Sequence, residues 1–106
     1  MKLWYSNSSP YARKARAVVQ YHKLQDHVEL LLATSGLDKN SPHNLDNPLG
    51  RLPALQRENG EWLYNSSLIA EYLDHIGTQP SLYGNKETRW EILRLHYLAD
   101  GILENE

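Results

Sequence analysis

The chain has 106 residues, enough for one ordinary domain or for one domain and a fragment of another. Hydrophobic residues make up 41% and charged residues 23%, which excludes a disordered chain, and a net charge of -2 gives no electrostatic reason to expect a nucleic acid or an anionic membrane as partner. The absence of cysteine excludes disulfide scaffolds, cysteine-based zinc sites and thiol chemistry by the protein itself, so any sulfur chemistry must come from a bound ligand.

Met1 to Tyr5 is short, apolar and aromatic-rich and reads as a buried strand. It carries one cation and is followed by polar residues, so no secretory signal is expected there. No run of eighteen apolar residues occurs, so no membrane-spanning helix is predicted and a cytoplasmic address is expected. Ser6 to Pro10 is a loop ending in a helix start, with Ser9 as N-cap and Pro10 as first helical residue. Tyr11, Ala15, Val18, Val19 and His22 then recur at helical spacing, while Arg13, Lys14 and Arg16 read as a solvated face. His27 to Ala33 is a second apolar strand, and the strand-helix-strand order predicts a parallel crossover.

Thr34 to Leu49 is polar, with Gly36, Pro42 and Pro48, and predicts irregular chain. Pro53 to Arg57 reads as a third strand, Glu58-Asn59-Gly60-Glu61 as a hairpin turn, and Trp62 to Tyr64 as a fourth strand. Ser66 to Ile76 is an amphipathic helix with Leu68, Ile69, Tyr72, Leu73 and Ile76 on one face. Gly77 to Lys86 reads as a linker. From Glu87 to about Glu104 the pattern is again helical, but the apolar residues spread around the whole helix. Such a helix needs cover on several sides. The expectation is an α/β domain over residues 1–76, a linker over 77–86, and in 87–106 the first helix of a truncated, all-helical second domain. The histidines show no metal-ligand spacing: His22 and His27 flank a turn, His75 ends a helix and His96 lies on the last one. No metal is expected.

Three segments in order, Ser9-Pro10-Tyr11-Ala12-Arg13-Lys14, Leu52-Pro53-Ala54-Leu55 and the helix from Ser66, resemble the glutathione-binding half of glutathione transferases. The Ser-Pro-aromatic start resembles a serine-type bacterial subgroup, and Leu98-Ala99-Asp100-Gly101-Ile102 resembles the first helix of that family's second domain. The resemblance implies a thioredoxin-like βαβ-ββα fold, a cis bond before Pro53, reduced glutathione as co-substrate, a small electrophile as second substrate, a role in detoxification and a homodimer. It also implies roles residue by residue. The backbone of Leu52 pairs with the cysteinyl unit, and Ser66 offers its hydroxyl and N–H to the γ-glutamyl carboxylate, as a helix start can. Asn65 stands where relatives more often carry Glu or Gln, and being shorter and neutral it predicts a weaker hold on the ligand's ammonium. Arg51, and less directly His43, would meet the glycyl carboxylate.

The chemistry is expected at Ser9, whose hydroxyl would donate to the glutathione sulfur and favour the thiolate. Tyr5, Ser8 and Tyr11 are nearby substitute donors, with core packing the expected role of the two tyrosines. Read without the resemblance, Ser9 and Ser66 are plain caps and Arg51 a solvated surface residue. Two functions remain open: a transferase, and a glutathione-transferase-like binding or regulatory module without turnover. A disulfide reductase or peroxidase lacks the protein thiol it needs.

Overall fold

The computed structural model describes residues 1–33 and 52–104. The elements run β1 (Lys2–Tyr5), α1 (Pro10–Tyr21), β2 (Glu29–Leu32), β3 (Ala54–Gln56), β4 (Trp62–Tyr64), α2 (Ser66–Ile76) and α3 (Arg89–Glu104). The strands form one sheet in the order β2-β1-β3-β4, with β2 parallel to β1 and both other pairings antiparallel. This is a thioredoxin-like α/β fold, the class that the order of elements implies. No helix among the described residues is long and apolar enough to cross a membrane.

The central strands are covered on both faces. Leu3 and Leu55 are opposite each other and fully buried, and the alternating positions Trp4 and Ala54 are buried on the other face. Leu3 and Leu55 join Ala15, Val18 and Val19 of α1 and Ile69, Ala70 and Leu73 of α2 in one core. β2 is shorter than the apolar run around it. Val28 is buried just before it, but Leu30 and Leu32 are 45% and 48% exposed, because β2 is an edge strand with β1 as its partner. The hairpin between β3 and β4 closes at its Asn-Gly pair, with Gly60 at φ 90 and the Asn59 side-chain Oδ1 accepting from the Glu61 N–H at 2.9 Å.

α2 faces the core with Ile69 and Leu73, and Tyr72 and Ile76 pack against that core, as the apolar pattern suggests; Leu68 is the exception. Ser66, Ile69, Ala70, Leu73 and Asp74 are buried, while Leu68 is 48% exposed. Asp74 is the centre of a buried polar junction. Its carboxylate accepts from His22 Nε2 at 2.8 Å, from the Ser81 hydroxyl at 2.5 Å and from the Leu82 N–H at 2.7 Å. Burial opposes ionisation of Asp74, but these hydrogen bonds outweigh it and hold the carboxyl below its ordinary value. The Gln79 N–H donates to His22 Nδ1 at 3.2 Å, which leaves the ring's proton on Nε2, facing Asp74. The segment after α2 is thereby tied to the end of α1. A Cβ at Gly77 would collide with the His22 ring, so this close approach requires glycine.

α3 is preceded by a turn at Asn85, whose side chain accepts from the Glu87 and Thr88 N–H groups at 2.9 and 3.0 Å. As its all-round pattern suggests, much of its apolar surface is uncovered: Leu93 is buried, but Trp90 is 75% and Ile102 57% exposed.

Candidate functional site

Strand register gathers the proposed site residues at one end of the sheet. Tyr5 is opposite Leu32, Trp4 opposite Ala54, and Ala54 opposite Tyr64. At that end β1 leaves toward Ser9 and α1, the chain enters β3 through Leu52 and Pro53, and β4 leaves into Asn65, Ser66 and α2. The N-termini of α1 and α2 therefore lie at the same end, each with backbone N–H groups that no helical carbonyl satisfies. Arg51 and His43 lie outside the described residues.

Ser9 is the N-cap of α1, in extended conformation, and its Oγ accepts from the Ala12 N–H at 3.1 Å. The Ser9 N–H in turn donates to Ser6 Oγ at 3.2 Å. Capping uses a lone pair of the hydroxyl, which leaves its proton for another acceptor. Tyr5 carries the Arg16 guanidinium 4.4 Å from its ring centre, and the Lys14 ammonium lies 6.0 Å from the ring centre of Tyr11. The Leu52–Pro53 bond is cis, with Pro53 fully buried and Leu52 half-buried.

The cap of α2 is one residue earlier than a serine start implies. Asn65 is the N-cap, its side chain accepting from the Ser67 N–H at 2.9 Å, and Ser66 is the first helical residue, 6% exposed. Asn65 has φ 77 and ψ 122, a conformation that L side chains rarely adopt. Asparagine tolerates positive φ better than most residues and is a strong cap, so the abrupt passage from β4 into α2 selects it over a serine one position later.

One cluster was not legible in the sequence. Lys14, read as solvated, lies in a junction between α1, α2 and α3. Its ammonium donates to both carboxylate oxygens of Asp100 at 2.9 and 3.0 Å, and lies 2.8 Å from His96 Nε2 and 3.5 Å from Ser67 Oγ. The Ser67 hydroxyl donates to Asp100 at 2.5 Å, and Tyr83 Oη lies 3.3 Å from His96 Nδ1. Burial opposes ionisation of Asp100, but Ser67 and Lys14 outweigh it and hold its carboxyl below the ordinary value. Burial and then the Lys14 charge push His96 down, while burial pushes the Tyr83 hydroxyl up. The one sequence signal was the i, i+4 pair His96 and Asp100 on an apolar helix; nothing indicated the partner more than eighty residues away. A separate open cleft of about 340 Å³, lined by Glu71, Asp74, His75, Ser81, Tyr83 and Arg89, lies along the C-terminal half of α2, away from the Asn65 end.

Chemically, the sheet end offers two helix N-termini suited to anions and a hydroxyl with a proton to donate. Several known proteins are similar to the chain in sequence or fold. The chain is 30% identical to the uncharacterized GST-like protein YibF of Escherichia coli, across 98% of this chain and 50% of that protein. Its fold superposes on a glutathione S-transferase from Methylobacillus flagellatus, solved with GSH bound, at a TM-score of 0.87 and 38% identity, covering 97% of this chain and 50% of that one. A glutathione transferase family member from Pseudomonas fluorescens, solved with bound glutathione, gives a TM-score of 0.83 and 36% identity, covering 97% of this chain and 51% of that one. The chain thus spans about half the length of these relatives. Residues 8–76 match the profile described as "Glutathione S-transferase, N-terminal domain", and the chain belongs to that family.

Proposed function

We propose that the chain binds reduced glutathione at the sheet end formed by Ser9, Leu52, Pro53, Asn65 and Ser66, and that the full-length polypeptide carrying it transfers the glutathione thiol to a small electrophile. The observation that carries this reading is the register, which gathers the starts of α1, β3 and α2 at one end. It is supported by the solved relatives of similar sequence that hold glutathione. In this reading the γ-glutamyl carboxylate meets the start of α2 at Ser66, the Asn65 side chain lies toward the ammonium, and the backbone of Leu52 pairs with the cysteinyl unit. Arg51 meets the glycyl carboxylate.

Ser9 then acts as a serine-type thiolate stabiliser. A free thiol has a pKa of roughly 8.5, and lowering it by about two units requires roughly 2.7 kcal/mol. A hydrogen bond to a charged group supplies about 1.5–3 kcal/mol, and the start of α1 adds about 0.3–1 kcal/mol. Together these suffice without a metal or a lysine. Capping and donation are compatible, since Ala12 occupies a lone pair of the Ser9 oxygen and not its proton.

The exposed apolar surface of α3 supports the further proposal that this helix opens an all-helical second domain, with 1–76 as the thioredoxin-like unit and 77–86 joining the two. The electrophile would meet surfaces from both domains. A cytoplasmic homodimer active in detoxification is part of the same reading. A second reading, a glutathione-binding module without turnover, is favoured by Asn65, which lacks the charge that Glu brings to the ammonium. Retention on immobilised glutathione together with a conjugation assay on the full-length polypeptide tests both readings. Retention with turnover supports the transferase, retention without turnover supports the module, and no retention overturns glutathione binding.

A further inference from the structure

The attachment of α3 to the thioredoxin-like unit rests largely on polar side chains. Leu93 is its one apolar side chain classed as buried among the described residues. The polar ties are Arg89 to Glu71 at 2.6 Å near its start and the Lys14 junction near its end. At that junction the hydrogen bonds fix the form of His96. An ammonium has donors and no acceptor, so Lys14 at 2.8 Å must donate to a bare Nε2. The imidazole proton is then on Nδ1, directed at Tyr83 Oη. A second proton would have to enter at Nε2, against the Lys14 ammonium.

We propose that Lys14, His96 and Asp100 form a proton-sensitive tie between α1 and α3, in which protonation of His96 displaces Lys14 and loosens α3 from α1. Asp100 Oδ2, 3.8 Å from Nε2, is an acceptor for the added proton, so the imidazolium takes over the carboxylate that Lys14 holds at neutral pH. The groups facing His96 are Lys14 from α1, Glu71 from α2, Tyr83 from the connecting segment, and Tyr97 and Asp100 on α3 itself. The two carboxylates favour the proton, whereas burial and Lys14 oppose it and prevail. The event therefore falls below the ordinary histidine range. It needs no ligand and is independent of the glutathione reading.

The test is a histidine and lysine NMR titration of the full-length polypeptide, with amide protection factors for α3 followed in parallel. Wild-type His96 should show the Nδ1–H tautomer at neutral pH. On acidification the Lys14 side-chain resonance and α3 protection should change with the midpoint of His96. His96→Gln, which can still accept from Lys14 and donate to Tyr83, should abolish that step. Lys14→Met should raise the His96 midpoint by about one unit. An Nε2–H tautomer in the wild type, an unmoved His96 midpoint in Lys14→Met, or an acid step surviving in His96→Gln would each overturn the proposal. The wild-type tautomer needs no variant to fold.

Discussion

At the scale of single residues, the two helix starts carry separable predictions. If Ser9 stabilises a thiolate, Ser9→Ala in the full-length polypeptide should lower turnover at neutral pH far more than it weakens glutathione binding. The deficit should shrink as pH rises past the free thiol's pKa of about 8.5, where the ligand ionises without help. A pH–rate profile with thiolate absorbance checks this, and coincident profiles for wild type and variant would leave Ser9 as a cap alone. Asn65 combines a cap with positive φ. Asn65→Ala loses the cap and retains the strain, so it should cost about 1–2 kcal/mol, whereas Asn65→Gly should cost only a few tenths. Urea unfolding of the two variants decides it; equal losses would mean that backbone conformation contributes nothing there. Capping at Asn65 in place of Ser66 also shows where residue-level reading stops. Asn and Ser are nearly equivalent caps, and only the turn out of β4, a backbone property, chooses between them.

At the scale of elements, the periodic pattern gave β4 and α2 their observed bounds, because both are flanked by strong turn residues. It placed Ile69, Tyr72, Leu73 and Ile76 inward correctly, but hydropathy alone put Leu68 inside and gave no reason to bury Asp74. Asp74 is inside because His22, Ser81 and Leu82 supply the hydrogen bonds that a buried carboxylate requires. Those partners are 52, 7 and 8 residues away, and the first of them is invisible to any local pattern. Asp74→Ala leaves the buried His22 N–H without its acceptor and frees Ser81 and Leu82, and should destabilise the protein by about 3 kcal/mol. Chemical unfolding measures this, and a loss under about 1 kcal/mol would mean that water or a rearranged loop satisfies them. The same local blindness put Lys14 on a solvated face, when Asp100 lies 86 residues further along the chain.

At the scale of the whole molecule, the shifted groups set the acid response. Asp74 and Asp100 have folded pKa values below their unfolded ones, so their contribution is present above about pH 4 and is lost as pH falls through the folded values. His96 is also lowered, and its contribution is present above about pH 6.5 and declines as pH falls toward its folded value. Stability should therefore fall in two stages on acidification, and His96→Gln should remove the upper stage only. Unfolding free energies measured from about pH 7.5 down to about pH 2 test this. A single stage in the wild type would contradict the sign assigned to His96. The global fold was legible because element order and the three motifs agree at every level. The junctions that fasten α3 and the segment before it were not, because each depends on a side-chain meeting that only the folded topology creates.

The sheet register has one more consequence, for handling the molecule. If chemistry occupies the end where Tyr5, Ala54 and Tyr64 are aligned, the hairpin from Glu58 to Gly60 is at the opposite end. Leu52 and Glu58 are six steps apart along the chain through β3, at most about 20 Å at about 3.3 Å per step. Glu58 is exposed, and this chain has no cysteine of its own. A thiol placed by Glu58→Cys would give the domain a single chemical handle, and a dye, spin label or solid support joined there would leave the ligand-facing end open to solvent.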